Sequence, residues 1–242
     1  MSTGSDKTAN ENGSARPGGS LPDSLATPRT PFRILIVDDH PLVRFALRQV
    51  MSVTFGKVVV QEAESGAAAL TLVEKQSWDV VILDIVLSGR NGLEVLQDIR
   101  ALRPSLPVLM LTAHPGSELA VRSLRSGAAG FVHKTASNPE LVAAVRKVLD
   151  GGQCLSAEVA QEVAIGFGNA GPEPPHKLLS NREYEVLCSI GAGHANKEIA
   201  QRLGVSVKSI NTYRARILEK LNLKSTAELV RYAIQQGLDT LS

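Results

Sequence analysis

Between residues 34 and 150, five short apolar runs alternate with five stretches of helical periodicity. Nothing else in the chain constrains its fold so strongly. The runs lie at 34–37, 58–60, 80–83, 108–111 and 130–132. Each is essentially unbroken by polar residues, as a strand buried on both faces requires. Helical patterns fill the intervals at 41–52, 65–76, 92–102, 117–126 and 137–150. Such alternation predicts a parallel sheet with helices on both faces. With right-handed crossovers, the compact solution is the flavodoxin-like order 2-1-3-4-5. That order reverses between strands 1 and 3 and opens a crevice at their carboxyl ends.

Past residue 177 the pattern is purely helical, with helices expected near 181–191, 195–203, 207–221 and 226–236. Gly204-Val205-Ser206 reads as a tight turn between the second and third of these, with Ser206 as N-cap. The expected fold class is therefore an α/β flavodoxin-like unit followed by an all-α four-helix unit containing a helix-turn-helix. Residues 1–31, rich in Gly, Ser, Pro, Thr and Asn, bury too little apolar surface to offset ordering and are expected to be a disordered tail. The stretch GNAGPEPPH at 168–176 reads as a linker, and SAEVAQEVAIGF at 156–167 as one more helix before it. The boundaries expected are 1–31, 32–152, 153–177 and 178–242, two domains in 242 residues.

No apolar stretch reaches the ~18 residues a membrane helix needs, and the N-terminus has no apolar core for a secretory signal. The expected location is the cytoplasm, with no membrane partner. Cys154 and Cys188 fit no metal or redox spacing and read as free thiols, and the five histidines, read as surface or loop residues, form no metal spacing. Net charge is +2 but uneven: 10 basic against 6 acidic residues from Lys177 onward, 13 against 12 from Phe32 to Gly152. The basic excess in the C-terminal third fits a nucleic-acid partner once its residues share a face.

Five polar residues fall where strands end. Asp38 and Asp39 close strand 1 in FRILIVDDH, and Asp84 closes strand 3 in WDVVILDIVL. Thr112 closes strand 4, and Lys134 follows strand 5. A single strand-end Asp is ordinarily a cap or turn residue; this conjunction at one sheet edge is not ordinary. Three converging carboxylates need a cation, and hard oxygen ligands suit Mg²⁺. Bound Mg²⁺ would neutralise the oxygens of an incoming phosphoryl group. Asp84 is then a candidate nucleophile, since carboxylates form aspartyl phosphates. Thr112 and Lys134 would hydrogen-bond or pair with phosphoryl oxygens.

The segment ANKEIAQRLGVSVKSINTYRARILEKL, 195–221, has the pattern of a helix-turn-helix. Ile199, Ala200, Leu203, Val205, Ile210, Ile217 and Leu221 mark its inner face. Lys208, Ser209, Asn211, Thr212, Arg214, Ala215, Arg216 and Lys220 are the candidate DNA-binding residues. Long cations suit phosphates; Asn, Thr and Ala suit base edges and thymine methyls. Leu229, Tyr232, Ala233 and Ile234 form a candidate dimer stripe on the last helix.

On these residues the stretch 32–152 resembles a response-regulator receiver domain. The stretch 178–240, with Leu179-Ser180-Asn181-Arg182-Glu183, Asn196-Lys197-Glu198-Ile199-Ala200 and Lys220-Leu221, resembles the LuxR/FixJ-type DNA-binding domain. Together they resemble a two-component response regulator of the NarL/FixJ type. The resemblance implies that Asp84 is the phospho-acceptor and that Mg²⁺ is bound by Asp39, Asp84 and the backbone carbonyl of Val86, with Asp38 acting mainly through water. It makes Thr112, Phe131 and Lys134 the switch residues, beside a small Ala113 that leaves room for the phosphoryl group. It implies a sensor histidine kinase, double-stranded promoter DNA, RNA polymerase and a second copy of the chain as partners. The chain departs from the family pattern at Ser88 and Thr135, where proline is usual, and at Phe131, where tyrosine is commoner.

The function expected is phosphorylation-activated transcription regulation, with no catalysis beyond the receiver's own phosphoryl transfer and dephosphorylation. A phosphohydrolase with an aspartyl-phosphate intermediate would want a second acid two residues after the nucleophile, where Val86 stands. A DNA-binding regulator whose receiver is only a phosphorylation-independent interaction module is the remaining alternative.

Overall fold

The computed structural model describes residues 31–113, 117–155 and 174–238. Nearly all of the expected tail, the expected helix at 156–167, most of the linker expected at 168–176 and one of the five histidines, His114, lie outside the described residues. The β/α part runs β1 (Phe32–Val37), α1 (Pro41–Phe55), β2 (Val58–Ala63), α2 (Gly66–Lys75), β3 (Val80–Asp84), α3 (Gly92–Leu102), β4 (Val108–Thr112), α4 (Ser117–Arg125), β5 (Gly130–His133) and α5 (Asn138–Leu149). The strands pair in parallel in the order β2-β1-β3-β4-β5. A 3-10 turn (Pro175–Leu178) then leads into α6 (Asn181–Gly191), α7 (Asn196–Arg202), α8 (Val207–Lys220) and α9 (Thr226–Gln235).

Alternate residues of the apolar runs point to opposite faces, and each face has its own core. Ile34, Ile36, Ile82 and Leu109 pack with Met51 of α1 and with Leu141 and Val145 of α5. Leu35, Val37, Leu83 and Met110 pack with α2, α3 and α4. This second core continues without a break into the C-terminal helices, through Leu179, Tyr184, Leu187, Ile199 and Ile210. Strand and helix limits follow the sequence pattern closely. β2 is the exception, running on to Ala63 because Gln61 and Glu62 pair with Leu35 and Ile36 although neither is apolar.

Capping explains most helix starts. Ser137 with Glu140 and Ser180 with Glu183 form capping boxes at α5 and α6. Ser206 accepts the Ser209 N–H at 3.0 Å, as its position in the turn predicts. Asn91 caps α3 at the Leu93 N–H. The next residue must be glycine: a Cβ at Gly92 would lie 2.0 Å from the Asp84 carbonyl oxygen. The start of α3 is thereby pressed against the end of β3. After α5 the chain returns to the sheet, where Cys154 exchanges hydrogen bonds with Ala129 and Phe131 along the outer side of β5. Both cysteines are free thiols.

Candidate functional site

The register of the sheet assembles the acidic pocket. Val37 lies beside Leu83, Asp84 beside Leu111, and Thr112 beside His133. Asp38, Asp84, Thr112 and Lys134 therefore emerge at one edge. Asp38, Asp84 and Thr112 are buried, and Asp39 and Lys134 half-buried. The Lys134 ammonium lies 2.7 Å from Asp38 Oδ2 and 2.7 Å from Asp84 Oδ2. The Val86 N–H donates to Asp84 Oδ1 at 3.2 Å.

Burial raises the Asp84 carboxyl to about 7 from its usual value near 3.8. Lys134 opposes this shift and the neighbouring Asp38 adds to it. Burial alone would lower the Lys134 ammonium, but Asp84 and Asp38 hold it above its ordinary range. The electrostatics are those of acidic groups short of positive charge.

His40, read from sequence as a surface or loop residue, belongs to this cluster. Its side chain is largely exposed, yet Nδ1 lies 2.7 Å from Asp39 Oδ1, and its N–H donates to Asp38 Oδ1 at 2.7 Å. One ligand atom each from Asp38, Asp39, His40 and Asp84 lie within 4.8 Å of one another. Direct adjacency to the acid pair was the signal available for His40. The donor set is dominated by carboxylate oxygens, which fits a small hard cation. The pocket, about 400 Å³, is lined by Asp39, Asp84, Val86, Ala113 and Lys134, and also by Gln201 and Arg202 from α7. Phe131 is half-buried and packs on the core shared with the C-terminal helices.

In α8, Lys208, Asn211, Thr212, Ala215 and Arg216 are exposed, and Ser209 and Arg214 half-buried. The Asn211 Oδ1 accepts from Asn196 Nδ2 at 2.9 Å, and the Thr212 hydroxyl bonds back to the Lys208 carbonyl at 3.1 Å. Lys220, expected on the same open face, is instead held by Glu183 at 2.6 Å. It secures the start of α6 rather than standing free.

The dimer stripe expected on α9 is corrected more sharply. Leu229 and Ala233 are fully buried, and α9 packs against α6. The Tyr232 hydroxyl bonds His176 Nδ1 at 2.9 Å, so His176, also read as a surface or loop residue, is a buried anchor. Of the four, only Ile234, 54% exposed, is open.

Sequence reasoning missed the contacts between the sheet and the C-terminal helices. Arg122 of α4 donates to the carbonyls of Leu179 at 2.8 Å and His176 at 3.0 Å, and its guanidinium stacks 4.6 Å from the Tyr184 ring. Arg182, paired with the buried Glu185 at 2.8 Å, donates to the Gly89 carbonyl at 2.8 Å. Most of these bonds end on backbone carbonyls, which carry no sequence signature.

Comparison with known proteins places both parts. Residues 34–146 match the model for the response regulator receiver domain, and residues 177–233 match that for bacterial regulatory proteins of the luxR family. Fold and site thus define a receiver domain joined to a LuxR-type regulatory domain. Response regulator UvrY of Escherichia coli K12 is 35% identical over 213 residues, covering 86% of this chain and 98% of UvrY. Response regulator GacA of Pseudomonas aeruginosa is 33% identical over 207 residues, covering 85% of this chain and 97% of GacA. Among solved structures, RcsB of Salmonella enterica serovar Typhimurium, bound to promoter rprA in the presence of the phosphomimetic BeF3-, superposes with a TM-score of 0.55 at 26% identity. The match covers 83% of this chain and 97% of that one. A two-component response regulator of the LuxR family from Aurantimonas gives 0.52 at 35% identity, over 57% of this chain and 98% of that one. The chain belongs to the response-regulator family, in the branch that carries a LuxR-type helix-turn-helix. No described helix is long and apolar enough to cross a membrane.

Proposed function

We propose that a sensor histidine kinase phosphorylates Asp84 and that the phosphorylated protein, a cytoplasmic transcription regulator, binds promoter DNA as a dimer and acts on RNA polymerase there. The observation that carries this reading is the convergence of Asp38, Asp39, Asp84, Thr112 and Lys134 on one sheet edge. An Asp84 carboxylate oxygen attacks the phosphorus of a phosphohistidine; the P–N bond breaks and the imidazole leaves with its electron pair. Lys134, already against Asp84, moves its ammonium onto a phosphoryl oxygen, and the Thr112 hydroxyl donates to another. Ala113 leaves room beside them. Asp39, Asp84 and the Val86 carbonyl, with Asp38 behind, would hold a Mg²⁺ ion that neutralises charge on the phosphoryl oxygens. The chain's chemistry ends there, at its own phosphoryl transfer and dephosphorylation.

The helix-turn-helix reads DNA with α8 in the major groove and half-sites about 34 Å apart. Lys208, Arg214 and Arg216 serve phosphates; Ser209, Asn211, Thr212 and Ala215 face base edges. Footprinting genomic DNA with and without a small-molecule phosphodonor and Mg²⁺ tests the whole reading. Protection is expected at lower protein concentration with the phosphodonor, and identical footprints would count against phosphorylation control.

The division of labour on α8 is separately testable. Lys208→Ala is expected to weaken all operators alike and to lower the salt slope by ~0.9. Asn211→Ala is expected to leave that slope unchanged and to relax preference at one base pair per half-site, by ~1–3 kcal/mol. Binding to a single-substitution operator set at several salt concentrations separates the two. A uniform loss for Asn211→Ala would show that it reads no base.

A further inference from the structure

Asn196 begins α7, Asn211 lies in the second turn of α8, and a hydrogen bond joins their side chains. The Asn196 amide nitrogen donates to Asn211 Oδ1 at 2.9 Å. Asn196 is half-buried and Asn211 exposed. The donor stands on a fixed base. Glu198 Oε2 accepts from the Ala195 N–H at 2.9 Å at the start of α7, and Ile199 and Ala200 anchor that helix in the core.

An asparagine amide carries opposite chemistry on two ends of similar shape: the oxygen accepts and the nitrogen donates. Its last torsion is broad and roughly two-fold, so an unheld side chain presents either end. In Asn211 the oxygen is engaged from α7, and among the described residues Nδ2 has no partner. The free end of Asn211 is therefore a donor. The adjacent Thr212 is set the other way, because its hydroxyl donates to the Lys208 carbonyl at 3.1 Å and leaves acceptor lone pairs and a methyl group. In the major groove guanine O6 and thymine O4 accept, whereas adenine N6 and cytosine N4 donate.

We infer that Asn196, which lies outside α8, is a specificity-determining residue: it holds the Asn211 amide with its nitrogen free, so that Asn211 selects guanine or thymine over adenine or cytosine. The inference rests on reading Asn211 as a contact to a base edge. Asn196 acts through Asn211 and is a positioning residue. Residue 211 supplies the contact, and residue 196 decides its polarity.

The test selects duplexes from a random-sequence DNA library with the full chain, treated with a small-molecule phosphodonor and Mg²⁺, and ranks the bases at each position by sequencing. The position read by Asn211 is the one whose preference Asn211→Ala removes. There the wild type is expected to favour guanine or thymine by about fivefold, the net worth of one neutral hydrogen bond, and Asn196→Ala is expected to lose that ranking. Asn196→Asp offers only acceptors, so the Asn211 amide turns over and adenine or cytosine is expected to lead. The added charge weakens all duplexes alike and drops out of the ranking. In an Asn211→Ala background, Asn196→Ala is expected to change nothing further at this position, which separates positioning from damage to α7. A wild type that favours adenine or cytosine there, a ranking that Asn196→Ala leaves intact, or a uniform loss across all sequences in Asn196→Ala overturns the inference and leaves Asn211 a base reader. If Asn211→Ala alters preference at no position, Asn211 reads no base and both readings fall.

Discussion

Asp84→Asn is expected to lose all phosphoryl uptake and, in the absence of divalent cations, to become the more stable protein at pH 8. The first effect follows from removing the nucleophile while keeping its shape. A phosphodonor with Mg²⁺ is expected to add one base-labile phosphoryl group to the wild type and none to the variant, as read by intact mass. Equal labelling of both would sink the assignment of Asp84. The second effect follows from linkage. The Asp84 carboxyl sits near 7 in the folded chain against about 3.8 when unfolded, chiefly because it is buried. A carboxyl raised on folding supports stability below its unfolded value and loses that support as pH climbs through its folded value. The wild type should therefore weaken between about pH 4 and pH 7, by up to about 4 kcal/mol, and level off above. The substituted amide cannot ionise, so the variant should lack that decline. Urea unfolding in chelator across this range decides it; parallel curves would show that Asp84 carries no such burden.

Lys134→Met should act in the opposite direction. The ammonium is the positive group that touches both Asp38 and Asp84, each at 2.7 Å. Its removal leaves buried carboxylates facing one another without a cation, at an expected cost of about 3–5 kcal/mol at pH 8. The loss should shrink toward pH 5, where Asp84 carries its proton, and Mg²⁺ should restore part of it at pH 8. A urea midpoint at pH 8 equal to that of the wild type would show that the pocket does not depend on this lysine.

The sheet was legible because strands covered on both faces are nearly continuous in apolar residues, and five such runs leave little choice of topology. β2, at the edge, blurred where Gln61 and Glu62 continue its pairing. The acidic pocket was legible for a related reason: parallel strands all end on one side, so polar residues that close them must meet. His40 was passed over because its own chemistry points outward while its Nδ1 turns back. On α8 the residue types marked the outer face, but Lys220 has a partner in α6 that helical periodicity on its own helix cannot reveal. Leu229 and Ala233 have the same spacing whether they meet another molecule or α6, and only the packed structure separates the two.

An open five-stranded sheet has two outer edges, and this one treats them differently. Along β5 the edge is occupied by the chain's own return through Cys154. Along β2, among the described residues, the outermost strand carries Glu62, held by Arg44 and Arg48 of α1. Unpaired strand edges invite other chains to add on, and short edges with charge discourage it. Growth by strand addition is thus blocked by the protein's own backbone at one end and opposed by charge at the other. This bias directs any association between copies to helical surfaces and away from the aggregation that exposed β-structure brings.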